Sequence, residues 1–250
     1  MSNNEETYWI KVDSDNNVVN HPEPESNLVV ALGYRFNKNN EFVKFKIKKS
    51  RNKFLLNAEQ KRSLTFMRGI GNNYNVTVLE GVAGSGKTLV YFDRVKDFVN
   101  KGFQALILLP EIALTNQFSR RFKEFFGTEP AIWHSGTTKK NKSIIWKGIT
   151  QGKIKIVIGA RSSLFLPFKN LGIIVVDEEQ ESSYKQESPN PRYHARDVAL
   201  MRGKLDNASV ILASATPSME SYYNYLNGKY EYIHLKERFG GAKYPKVHVV

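Results

Sequence analysis

One octapeptide constrains this chain more than any other stretch. Gly81-Val82-Ala83-Gly84-Ser85-Gly86-Lys87-Thr88 follows the apolar run Val76–Glu80 and opens a segment of helical periodicity. Strand, glycine-rich turn, then a helix begun by Lys-Thr is the order of a phosphate-binding loop. Glycines let consecutive backbone N–H groups converge on one concavity, and the helix starting there turns the positive end of its dipole to the same point. Gly81, Gly84, Ser85 and Gly86 are expected to line the cradle; Lys87 would reach the terminal phosphates and Thr88 would ligate Mg2+. ATP and Mg2+ are therefore the expected cofactors. A chance glycine turn is the competing reading, and the flanking strand and helix speak against it. Such a loop belongs at the carboxyl end of a buried parallel strand, so the expected fold class is α/β.

The rest of the pattern agrees. A helix from about Lys87 carries Leu89, Phe92, Val95 and Val99 on one face and stops at Gly102. Ala105–Leu109 reads as an apolar strand and Glu111–Phe126 as a helix ended by Gly127. Ala131–Trp133 is a short strand and Lys142–Gln151 a helix. Strands at Ile154–Ile158, Ile173–Val176 and Ser209–Ala213 follow, with a helix near Ala195–Lys204. Near-continuous apolar strands alternating with helices predict a mostly parallel sheet covered on both faces. Residues 1–53 read as a polar and then basic N-terminal region, 54–235 as the nucleotide-binding domain, and 236–250 as a connecting segment. Within the first, Phe42–Lys48 alternates as a strand with one cationic face would.

Two further strand ends carry chemistry. Asp177-Glu178-Glu179 directly follows Ile173–Val176, placing carboxylates where open α/β sheets bind ligands. Asp177 would hold Mg2+, and Glu178 would orient or deprotonate an attacking water. Ser214-Ala215-Thr216 follows the strand ending at Ala213, where small hydroxyls can bridge the acids to a bound group; a helix N-cap ahead of Pro217 is an equally open reading. Catalysis is thus assigned to Lys87, Asp177 and Glu178.

Charge points to a polyanion. The net charge is +13, yet residues 1–27 hold six acids against Lys11. Arg35–Lys53 carries eight basic residues against Glu41, and Pro130–Val176 carries eight with no acid. Nucleic acid is the first expectation and an anionic membrane the second; a general abundance of Lys and Asn is the bland alternative. No apolar run approaches the ~20 residues of a membrane span. The N-terminus lacks a basic and apolar leader, which argues against secretion, and the chain has no cysteine. Disulfides, zinc ribbons and thiol catalysis within this chain are excluded, and a cytoplasmic setting is expected.

Longer stretches identify a family. Leu56–Gln60, Gly81–Thr88, Leu108–Thr115, Trp133–Gly136, Ile158–Phe165, Pro167–Gly172, Asp177–Glu179, Ser182–Gln186, Tyr193–Ala199 and Ser214–Ser218 run in collinear order. In that order they resemble the first RecA-like motor domain of superfamily 2 helicases of the primosomal protein N′ (PriA) replication-restart family. The segments PEIALT, RSSLFLPF and SSYKQ are far more specific than the phosphate loop.

The resemblance implies a RecA-like P-loop domain of an ATP-dependent 3′→5′ DNA helicase acting at stalled forks. Gln60 would read the adenine edge. Pro110, Glu111, Arg161 and Ser162 would face single-stranded DNA, and Tyr184, Lys185, Tyr193 and Arg196 would couple DNA contact to turnover. Ser214 and Thr216 would join that coupling. His134 belongs to a family motif, though a structural role is the plainer reading. Forked DNA, primosome proteins and a separate chain supplying the second motor domain are the implied partners, with no membrane.

Two departures stand out. Gln180 occupies the place of the family's His and can hydrogen-bond a nucleotide or the Ser214/Thr216 loop, but it cannot become cationic. The second motor domain, its arginine finger and the zinc-binding cysteines have no counterpart in these residues, so a truncated or split form is expected. That form would bind ATP·Mg2+ weakly, hydrolyse it slowly and fail to unwind duplex. A non-enzymatic DNA- or primosome-binding module is the alternative.

Overall fold

The computed structural model describes residues 56–113 and 116–238, together with three short strands between residues 29 and 44. Those strands, β1 (Val29–Val30), β2 (Tyr34–Phe36) and β3 (Phe42–Lys44), pair antiparallel in the order β1-β2-β3. The acidic region 1–27, Leu114 and Thr115 of the PEIALT segment, and residues 239–250 lie outside the described residues.

The main domain alternates strands and helices. In chain order these are α1 (Ala58–Ile70), β4 (Val76–Gly81), α2 (Lys87–Asn100), β5 (Gln104–Leu108), α3 (Asn116–Phe126), β6 (Ala131–Trp133) and α4 (Lys139–Thr150). There follow β7 (Ile156–Gly159), β8 (Leu171–Asp177), β9 (Lys185–Gln186), β10 (Tyr193–His194), α5 (Ala195–Leu205), β11 (Ser209–Ser214), α6 (Met219–Leu226) and β12 (Glu231–Leu235). Seven strands form one parallel sheet in the order β12-β4-β11-β8-β5-β7-β6.

Strand alternation divides the core between the two faces. Ile173 and Val175 of β8 pack with Leu64, Phe92, Phe98 and Phe122 from α1, α2 and α3. Ile174 and Val176 pack with Ile145, Ile149, Ala195 and Ala199 from α4 and α5. Both faces being covered, central strands have no polar side to show, which is why they read as continuous apolar runs.

Local signals set several boundaries differently from the sequence reading. The predicted helix Glu111–Phe126 is broken: Glu111–Ala113 makes a 3-10 turn closed by Ala113 N–H to Pro110 O at 2.8 Å, and α3 starts at Asn116. The tight turn consumes the backbone groups that would have begun an α-helix. α4 starts at Lys139 rather than Lys142, because Thr138 caps it by accepting Asn141 N–H at 3.3 Å. The cap after β11 is Ser218, which follows Pro217, so the Ser214–Thr216 run is not the N-cap of α6.

Candidate active site

Parallel register brings the chosen motifs to one edge. Ser214 of β11 lies opposite Glu80 of β4, and Ala213 opposite Asp177 of β8. Val176 pairs with Leu108 of β5, Leu108 with Gly159 of β7, and Gly159 with Trp133 of β6. The phosphate loop, the acids and the Ser214 loop thus emerge from β4, β8 and β11. Pro110-Glu111, Arg161-Ser162 and His134 emerge beside them from β5, β7 and β6.

The loop is shaped as a cradle. Gly84 and Gly86 both hold φ of +82°, a backbone region that side chains strongly disfavour. A Cβ on Gly81 would collide with the Ser85 hydroxyl. That hydroxyl is buried and has no hydrogen-bond partner, and no side chain caps the start of α2. The Lys87 ammonium is nearly buried and donates to Gly81 O at 2.6 Å. An unsatisfied buried hydroxyl, an uncapped helix start and a cation turned into the loop together fit phosphate oxygens. Gln60 is fully buried and is no surface residue: Oε1 accepts Asn57 N–H at 3.0 Å in a capping box, and Nε2 donates to Ser85 O at 2.8 Å. It ties the start of α1 to the loop.

Asp177 is held from both sides. Its Oδ2 accepts the Tyr91 hydroxyl at 2.8 Å and its Oδ1 the Glu178 N–H at 3.1 Å. The Tyr184 hydroxyl donates to the carbonyls of Asp177 at 2.6 Å and Leu108 at 3.1 Å. Burial lifts the Asp177 pKa to about 6, with the Tyr91 bond opposing and the Glu178 charge adding to the rise. Burial and the neighbouring Asp177 push Tyr91 well above the usual phenol range, so it stays a neutral donor. Thr88 and Asp177, an oxygen donor from each side of the cradle, are the pair that fits Mg2+.

A relay leaves Glu178. This residue has φ of +49°, rare for a non-glycine. Its Oε2 accepts Gln180 Nε2 at 3.0 Å; Gln180 Oε1 accepts the Ser214 hydroxyl at 2.6 Å; Ser214 Oγ accepts Thr216 N–H at 2.8 Å. Gln180 therefore uses its two amide ends to link the acidic loop to the loop after β11.

The neighbouring carboxylate serves a different purpose. Glu179 is fully buried and accepts Arg196 Nη1 at 3.1 Å, Ser218 N–H at 2.7 Å and Ser218 Oγ at 3.1 Å. This locks the acidic loop to α5 and α6. Arg196 and Tyr184, expected to couple DNA contact to turnover, are both buried, so neither presents its charge or ring to solvent. Their partners are carbonyls and a carboxylate brought in from other strands, which outcompete water for them.

Beside the acids lies a small open cleft lined by Pro110, Glu111, Ala160, Arg161, Ser183 and Tyr184. Arg161 Nη1 donates to Lys185 O at 2.8 Å, Ser162 is exposed, and Lys185 pairs with Glu187 at 2.8 Å. Tyr193 sits edge-on to exposed Phe165 at 5.5 Å on the small β9-β10 hairpin sheet. Lys142 lies over the Trp133 ring at 5.6 Å, extending cationic surface past β6. His134 Nδ1 accepts Gly136 N–H at 3.1 Å, which closes a turn. Among the described residues no helix is long and apolar enough to cross a membrane.

The sequence profile of the DEAD/DEAH box helicase family matches residues 58–224, which carry the cradle, the acids and the cleft. The chain belongs to this helicase family. It is 47% identical over 211 residues to "Replication restart protein PriA" of Rickettsia felis, covering 83% of this chain and 32% of that protein. The Bacillus subtilis protein of the same name is 45% identical over 179 residues, covering 72% of this chain and 22% of its own length. This helicase-family chain therefore spans about a third or less of those relatives. The structure of RecG bound to a three-way DNA junction superimposes with a TM-score of 0.58 at 28% identity, over 76% of this chain and 25% of that one. The Hef helicase domain of Pyrococcus furiosus shares the fold with a TM-score of 0.53 at 17% identity, over 73% of this chain and 38% of that one. The fold is the α/β, RecA-like P-loop domain.

Sequence reading missed Tyr91, Glu179 and Ser218. A signal existed for Tyr91: a phenol three residues after Thr88, on the sheet-facing side of α2, needs a buried partner. Glu179 and Ser218 meet only through tertiary packing.

Proposed function

We propose that this chain is the ATP-driven motor domain of a 3′→5′ DNA helicase of replication restart, with Lys87, Asp177 and Glu178 as its catalytic residues. The observation that carries this reading is the shared edge: cradle, acids and the Arg161 cleft open side by side, with Gln180 and Tyr184 bonded to the acidic loop. The role in restart and the polarity rest on the likeness to the PriA proteins.

Bound ATP and Mg2+ would supply the labile terminal phosphoryl group and neutralise its oxygens. Lys87 exchanges the Gly81 carbonyl for phosphate oxygens, while Gly84, Ser85 and Gly86 offer backbone and hydroxyl donors. Thr88 and Asp177 hold the metal. Glu178, with Oε2 engaged by Gln180, keeps Oε1 to take a proton from the attacking water. Gln60, both amide ends engaged, holds the loop against α1, and reading the adenine edge would require it to release one of those bonds. On the other half of the edge, Pro110, Glu111, Arg161 and Ser162 contact single-stranded DNA, with Lys185 and Tyr193 flanking the path. A strand pressed into the cleft bears on Tyr184, whose hydroxyl bonds the Asp177 carbonyl next to Glu178, and Gln180 ties Glu178 in turn to Ser214 and Thr216. Tyr184 and Arg196 thereby act by coupling and support.

The test is ATPase activity of the chain with and without single-stranded DNA, compared with Lys87→Ala. DNA-stimulated turnover abolished by the substitution supports the motor. Unchanged DNA binding with no turnover in either protein would mark a non-enzymatic DNA-binding module instead.

A further inference from the structure

Tyr91 lies one helical turn beyond Lys87 and Thr88 on α2 and has no exposed surface. Its hydroxyl donates to Asp177 Oδ2 at 2.8 Å. The other carboxylate oxygen is taken by the Glu178 N–H at 3.1 Å. The ring packs edge-on to Phe92 at 5.3 Å, a contact that phenylalanine would make equally well. A hydroxyl at such a buried position is tolerated only when bonded, and its partner here is the carboxylate assigned to the metal.

We propose that Tyr91 is a positioning residue for Mg2+: by donating to Oδ2 while the Glu178 N–H holds Oδ1, it fixes the rotation of the Asp177 carboxylate. This rests on the proposed nucleotide site. Mg2+ demands near-ideal octahedral geometry, so a carboxylate free to rotate loses metal capture before it loses nucleotide capture. The cradle itself does not contain Tyr91, so affinity for nucleotide without metal stays with Lys87 and the loop.

The experiment titrates Mg2+ against the affinity of the full chain for a fluorescent ADP analogue, starting in EDTA. Wild type and Tyr91→Phe are compared, with melting transitions recorded without nucleotide. Removing one charge-assisted hydrogen bond raises the Mg2+ midpoint about tenfold, while affinity in EDTA stays within about twofold. In an Asp177→Asn background, Tyr91→Phe produces no further shift. An unchanged midpoint, a loss of affinity equal in EDTA and Mg2+, or an additive shift in the double variant would each overturn the role. Wild-type chain whose nucleotide affinity ignores Mg2+ sinks the nucleotide site itself; a wild-type Mg2+ effect retained in Tyr91→Phe sinks the role of Tyr91 alone.

Discussion

Asp177→Asn should stabilise the nucleotide-free chain while abolishing turnover. Burial holds the Asp177 pKa at about 6 against an ordinary value of 3.8. The folded state thus binds this proton more tightly than the unfolded chain, so stability falls as pH rises from about 4 through 6 and stays lower above it. The ionised carboxylate then costs the fold about 3 kcal/mol at neutral pH. Asparagine removes that cost but accepts only one of the two bonds, from Tyr91 or the Glu178 N–H, losing about 1 kcal/mol. The net gain is about 2 kcal/mol at pH 7.5, or roughly 4–8 °C in melting temperature for a domain of this size. It should shrink below pH 6 and vanish near pH 4. Calorimetry of both proteins across that range reads it directly. A variant no more stable than wild type at pH 7.5, or a gain that persists at pH 4, would refute the reasoning.

Three other outcomes follow from the geometry. Arg196→Met leaves the buried Glu179 carboxylate with only the Ser218 donors, so unfolding free energy in denaturant titration should drop by about 3–5 kcal/mol. Arg161→Ala should weaken single-stranded DNA binding and reduce the slope of log affinity against log salt by about 1, with nucleotide affinity in the absence of DNA unchanged. Gln180→Ala cuts both ends of the link between Glu178 and Ser214. DNA stimulation of the ATPase should fall at least tenfold, at the scale of two lost hydrogen bonds, while DNA affinity holds.

Central elements were legible because their environment is uniform. Ile173–Val176 and Ala105–Leu108 are buried on both sides, so apolarity alone marks them. In the edge strand β12 only Ile233, exposed His234 and Leu235 alternate, after exposed Glu231 and half-buried Tyr232, a weak signal that went unread. The loop Gly81–Thr88 and Asp177 were legible because their chemistry is local to a strand end. The orientation of Tyr184 and Arg196 was not, since it depends on Leu108, Asp177 and Glu179, which lie far away in sequence. The same holds for Gln60, whose bond to the Ser85 carbonyl joins residues far apart in sequence.

The bond from Lys87 to the Gly81 carbonyl makes the cradle its own competitor. An incoming phosphate must evict an internal ligand before it gains the ammonium, so tenancy is an exchange rather than a simple arrival. The same contact gives the ammonium a partner at all times, so Lys87 never stands in the loop as an unpaired buried cation.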